Sequence, residues 1–132
     1  MSEPGLPHAP FLVVDVVGRP ASFATAHEAA WKSAVRSAIA RLNEPVRDCR
    51  FGVVIDFRTP AAKNANEVWD LDNLIKPTLD AMEGVFGDRP WQGRPQPADD
   101  RVDYLQASKR TIGPGDTTGA RIQVYDLTRP TD

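Results

Sequence analysis

Asp70 and Asp72 stand two residues apart in "WDLDNLIKPTLDAM" (69–82), and Lys76 follows four positions after Asp72. In an extended segment just ahead of a helix, the two carboxylates point to one side, roughly 6–7 Å apart along the backbone. Once the chain is helical, Asp72 and Lys76 lie one turn apart on one face. The three groups can therefore converge above a helix N-terminus. One aspartate there is explained by capping and the helix dipole, which contribute about 1 kcal/mol. Lys76 is explained equally well by an ion pair with Asp72 or Asp80. A second carboxylate is not explained by capping. Two held about 4 Å apart repel by on the order of 4 kcal/mol at an effective dielectric of about 20. A hard divalent cation removes that repulsion, because Mg²⁺ and Mn²⁺ bind through a few carboxylates plus water and phosphate oxygens. Helix cap and metal site are the two readings of this segment.

A second acidic pair, Asp99 and Asp100, opens an expected strand after a loop. Alone it reads as a solvated turn. Together with Asp70 and Asp72 it suggests a site of three carboxylates.

At this point the residues resemble a known family. "DLDNLIKPTLDAM", the "DD" about 20 residues later and the lysine of "QASKR" resemble the RusA family of Holliday-junction resolvases. The resemblance spans roughly residues 11–127 and is specific over 70–82 and 99–109. It implies a Mg²⁺-dependent endodeoxyribonuclease, with Mn²⁺ as the alternative ion. Such an enzyme acts as a homodimer on branched DNA, resolving four-way junctions by paired symmetric nicks in recombination and repair. Matched position by position, Asp70, Asp72 and Asp100 correspond to the catalytic, metal-holding carboxylates and Lys76 to the essential lysine. Asp99 is the weaker choice within its pair. Two departures bear on substrate preference. Several arginines precede the D-x-D in the family, whereas "AAKNANEVW" here holds only Lys63, and the loop before the acidic pair is longer.

The elements that must position these groups follow from periodicity. "FLVVDVV" (11–17) and "RFGVVIDFR" (50–58) are β-branched and aromatic runs, hence strands. Between them, Thr25 and Glu28 fit a capping box, and Trp31, Ala34, Val35, Ala38, Ile39 and Leu42 form one helical stripe. Lys32, Arg36 and Arg41 fall off that stripe and read as a solvated face. A polar loop (60–69) leads to the second helix, with Leu71, Leu74, Ile75, Thr78, Leu79 and Met82 on one face. Pro77 lacks an amide proton and fits near a first turn, which sets the helix start close to Asp72–Asn73. "GDRPWQGRPQPA" (87–98) reads as a loop from its Gly and Pro content. Strands over 99–110 and 120–127, separated by the turn "IGPGDTTG", complete a β-α-β-α-β-β order. That order predicts an α+β fold with two helices packed on a mixed sheet. The expected organisation is a loose arm (1–10), one nuclease-like domain (11–127) and a short tail (128–132).

Composition sets the remaining bounds. At 132 residues, 41% hydrophobic and 26% charged, the chain suits one soluble domain. No apolar run approaches a spanning helix, so no membrane partner is expected. "MSEPGLPHAP" lacks the features of a secretion signal, so a cytoplasmic location is expected. Cys49 with His8 and His27 cannot build a usual zinc site. With His8 in the arm and His27 at a helix start, a Ser-His-Asp triad has little support. A metal-dependent sugar transferase also uses D-x-D, but no nucleotide-binding unit is recognisable. The net charge of −2 argues against a broad basic DNA-binding field. Residues 58–110, however, hold eight Lys or Arg against nine Asp or Glu, three of which are the proposed ligands. Arg58, Lys63, Arg89, Arg94, Arg101, Lys109 and Arg110 could then face phosphates, and binding should be modest and salt-sensitive. Trp91, in the long loop, stacks on a base or wedges into the junction, or else packs on the surface. The non-catalytic alternative is an inactive accessory protein that binds junctions or other branched DNA.

Overall fold

A computed structural model of the chain describes residues 6, 9–22, 25–63 and 69–127. His8, most of the expected arm and the tail from residue 128 lie outside the described residues. Four strands form the main sheet: β1 (Leu12–Val17), β2 (Phe51–Thr59), β5 (Val102–Thr111) and β6 (Gly119–Asp126), in the spatial order β1-β6-β2-β5. β6 runs antiparallel to both β1 and β2, whereas β5 is parallel to β2. The sheet is thus mixed and the class α+β, as the element order predicts. β1, β2 and β5 all finish at one end of the sheet, termed the upper end.

Strand alternation decides which face is covered. Leu12, Val14 and Val16 of β1, Phe51, Val53, Ile55 and Phe57 of β2, and Ala120, Ile122 and Val124 of β6 point inward and are buried. Helix α1 (Glu28–Leu42) lays Trp31, Val35, Ala38 and Ile39 on this face. Helix α2 (Leu71–Asp80) adds Leu74 and Thr78, and the short α3 (Glu83–Phe86) adds Val85 and Phe86. The Phe86 ring packs on Phe51 at 5.1 Å between centroids. The alternate residues Val13, Asp15 and Val17 are exposed on the opposite face. Among the described residues no helix is long and apolar enough to cross a membrane.

Four local expectations are corrected. The Thr25–Glu28 capping box does not form: the helix starts behind His27, and the Glu28 amide donates to the Thr25 carbonyl rather than to its hydroxyl. Leu42, at the helix end, is 38% exposed rather than part of the buried stripe. Helix α2 begins at Leu71, which puts Pro77 in its second turn, and Met82 lies beyond its end. Pro77 is fully within the buried face, so packing outweighs the loss of one intrahelical hydrogen bond.

The fourth correction concerns residues 87–98, which form a β-hairpin of β3 (Asp88–Trp91) and β4 (Arg94–Pro97). Its turn residues Gln92 and Gly93 both have positive φ, 51° and 78°, matching the left-handed geometry of a tight two-residue turn. Pro90 faces Pro95, and Pro97 faces Asp88. In an antiparallel ladder every second pair exchanges no hydrogen bonds, and counting back from the turn puts all three prolines in such pairs. The ladder closes where the Ala98 amide donates to the Gly87 carbonyl at 2.8 Å. The prolines are therefore compatible with pairing.

Candidate active site

Asp70 is the N-cap of α2, with extended backbone (φ −73°, ψ 132°). Its carbonyl accepts hydrogen bonds from the Asn73 and Leu74 amides, each at 3.1 Å. Its side chain makes no capping hydrogen bond. The cap is thus built from backbone, and the exposed carboxylate remains available beside that of Asp72 in the first helical turn. Trp69, just before it, packs against the core, and the Arg19 guanidinium lies 5.4 Å from its ring centroid. Arg19 follows β1, so this contact anchors the start of α2 at the upper end of the sheet.

Lys76 stands one turn after Asp72 and pairs with Asp80 at 3.4 Å. Of the two candidate partners, the helix geometry thus favours Asp80. Both Asp72 and Lys76 are exposed on the outer side of α2, while Leu74 and Thr78 turn inward.

Asp99 and Asp100 sit in a single 3₁₀ turn, Asp99–Arg101, immediately before β5 rather than in the strand. Arg50 holds this turn. Its guanidinium donates to the Asp100 carbonyl at 2.6 Å and to both oxygens of Asp103, at 2.6 and 3.0 Å. The hydrogen bond from Arg50 lowers the pKa of Asp103 below the ordinary carboxylate value. The Asp100 carboxylate forms an ion pair with Arg89 of the hairpin at 3.0 Å. Arg50 escaped sequence reasoning because it acts across the β2–β5 pairing, which spacing does not reveal, and Arg89, read from the sequence only as a phosphate contact, is paired with Asp100.

The two acidic groups occupy opposite ends of the sheet. β5 begins beside Phe51, the first residue of β2, so Asp100 lies at the lower end. Asp70 and Asp72 open α2, which is about 15 Å long and starts from Trp69 against Arg19, just past the upper end of β1. Among the described residues, no group of three or more His, Cys, Asp or Glu side chains is arranged to hold a metal. One chain thus places Asp70, Asp72 and Lys76 along the start and exposed side of α2, with Asp100 in a separate turn before β5.

Cys49 offers no alternative chemistry. It is buried, and burial together with nearby Asp126 pushes its thiol up to about 11. A nucleophilic thiolate is not formed at neutral pH.

The family model described as Endodeoxyribonuclease RusA matches residues 14–88. That span is more than half of the chain and includes Asp70, Asp72 and Lys76, but ends where the hairpin begins. No curated protein matches the chain.

Proposed function

Because the chain belongs to the RusA family of endodeoxyribonucleases, we propose that it resolves four-way DNA junctions by paired symmetric nicks in the presence of Mg²⁺, with Mn²⁺ as the alternative. The family's activity is Holliday-junction resolution, and its nucleases are generally divalent-metal dependent. The observation that carries the reading is the Asp70–Asp72 pair. A helix start capped by backbone alone leaves two exposed carboxylates, two residues apart, that capping does not employ. Their hard oxygens suit a hard divalent ion.

The ligand set is completed by Asp100 from a second copy of the chain. β5 is an edge strand of ten residues, with no strand on its outer side among the described residues. Pairing two such edges antiparallel about a two-fold axis sets the start of one β5 beside the finish of the other. The upper end of one copy, with Asp70 and Asp72, then meets the lower end of its neighbour, with Asp100. A register centred on Gln106 also sets Asp103 of one copy opposite Lys109 of the other. Two identical sites related by a two-fold axis suit the approximate two-fold symmetry of a four-way junction.

Each side chain then has a defined task. Asp70, Asp72 and Asp100 would hold the ion, which when bound would supply Lewis-acid polarisation of the phosphate and a more acidic water. Arg50 keeps the turn bearing Asp100 in place through two independent contacts. Lys76 exchanges Asp80 for the phosphate oxygen on which charge builds. Its present ion pair joins an exposed lysine to a half-buried aspartate within one helix, a contact of modest strength.

The test is a labelled synthetic junction incubated with the protein, with and without Mg²⁺. Paired symmetric nicks that vanish in Asp72→Asn, with the fold intact, are expected. Metal-dependent nicking of any duplex would favour a general nuclease instead. Junction binding without nicking under any divalent ion would favour the accessory-protein reading, which the separation of Asp100 from Asp70 within one chain supports.

A further inference from the structure

Outside the family match, the hairpin β3–β4 presents a combination that the ion site does not use. Trp91 ends β3 at the hairpin tip and is 55% exposed. A tryptophan so placed contributes little to folding, since most of its apolar area stays in water. Arg94 is its direct cross-strand partner, and the Arg89 guanidinium lies 5.7 Å from its ring centroid. The tip therefore offers an aromatic surface flanked by two cations.

The tip is also rigidly placed. Three prolines stiffen the ladder, the Gln92–Gly93 turn is tight, and the base is closed by the Ala98–Gly87 hydrogen bond. Arg89 joins the tip to the candidate site, because it contacts the Trp91 ring while pairing with the Asp100 carboxylate. Whatever rests on Trp91 is thus held beside the third proposed ligand.

From this we infer that Trp91 is a stacking platform for a nucleobase unstacked at the branch point of the DNA substrate, with Arg94 and Arg89 drawing in the flanking phosphates. An indole face accepts any base, and guanidinium groups on either side neutralise backbone charge. A continuous duplex offers no free base face, so the contact discriminates branched from linear DNA. This inference rests on the nuclease reading and adds a source of substrate selectivity to it. It also supplies local positive charge that the chain as a whole lacks.

The experiment uses the full chain in Ca²⁺, with a four-way junction carrying 2-aminopurine at the branch point and a linear duplex of the same sequence. Wild-type protein should quench the probe, and Trp91→Ala should abolish the quenching. Trp91→Ala should also weaken junction affinity on the order of tenfold, with duplex affinity unchanged. Trp91→Phe should retain most of both effects. Equal junction binding by wild type and Trp91→Ala would overturn the inference, as would parallel losses on junction and duplex. A changed oligomeric state of Trp91→Ala in light scattering would overturn it too, by assigning the ring to a contact between copies. If the wild type nicks junctions in Mg²⁺ and Trp91→Ala behaves identically, only the stacking role falls. If the wild type neither binds nor nicks them, the nuclease reading fails and the stacking role with it.

Discussion

The indole N–H of Trp31 donates to the Thr78 hydroxyl at 3.0 Å, joining α1 to α2 inside the core. Thr78 in turn donates to the Leu74 carbonyl at 2.8 Å, so every polar atom in this chain of contacts has a partner. Both side chains are shut off from water. Thr78→Val preserves shape but leaves the indole N–H unpaired, which should destabilise the fold by about 1–3 kcal/mol. Thr78→Ser should lose less. Urea denaturation of the three proteins decides this, with a lower midpoint and unchanged slope expected for the valine variant.

The carboxylates of Asp70 and Asp72 make a second, opposite prediction about stability. Held close enough to share an ion they would repel in its absence, so Asp72→Asn should match or exceed the wild type in thermal midpoint. With Mg²⁺, the wild type should gain stability by mass action and the variant should gain much less. Cleavage by Asp72→Asn should fall on the order of a hundredfold or more, the scale of losing a group that stabilises transition-state charge. Melting curves across a Mg²⁺ titration, paired with junction cleavage, check both parts. Equal Mg²⁺ stabilisation of the two proteins would remove Asp72 from the ion site.

Much of this architecture is legible in the sequence, for local reasons. The inward strand residues Val53, Ile55 and Phe57 and the helical stripe from Trp31 to Ile39 obey periods of two and 3.6, which survive packing unchanged. The start of α1 is less legible, because the Glu28 amide takes the Thr25 backbone carbonyl rather than its hydroxyl and the N-cap falls at His27. The hairpin is hidden by its prolines. Their number argues for a loop, and only their alternate placement permits a ladder. For the candidate site, the adjacency of Asp70, Asp72 and Lys76 follows from spacing within one element. The position of Asp100 does not. It depends on β5 running parallel to β2, a long-range choice that carries the start of β5 to the far end of the sheet.

Cys49 provides a test of core integrity that is independent of DNA. Its thiol is raised from 9.0 to about 11, chiefly by burial, so the neutral thiol is favoured in the fold. The associated stability is complete below pH 9, where the unfolded thiol is also neutral. It is lost progressively as pH rises from there through about 11. At pH 8 the native protein should react with iodoacetamide far more slowly than the urea-unfolded chain. Cys49→Ala should retain junction cleavage. Rapid native alkylation would show that the strands around Cys49 open readily.

The sharpest prediction concerns which copy supplies Asp100. If the site is shared, Asp70→Asn and Asp100→Asn each damage both sites of a homodimer, so each variant alone should be inactive. A mixed dimer of the two is different. One site inherits both substitutions, while the other combines intact Asp70 and Asp72 from the Asp100→Asn copy with intact Asp100 from the Asp70→Asn copy. Mixing the inactive proteins under exchange conditions should therefore restore nicking at one strand per junction, without paired nicks. If all three carboxylates worked within one chain, every site in the mixture would carry a defect and no activity would return. The absence of a metal-holding acidic group within one chain among the described residues favours recovery, because an antiparallel neighbour along the β5 edge would bring Asp100 of one copy towards Asp70 of the other.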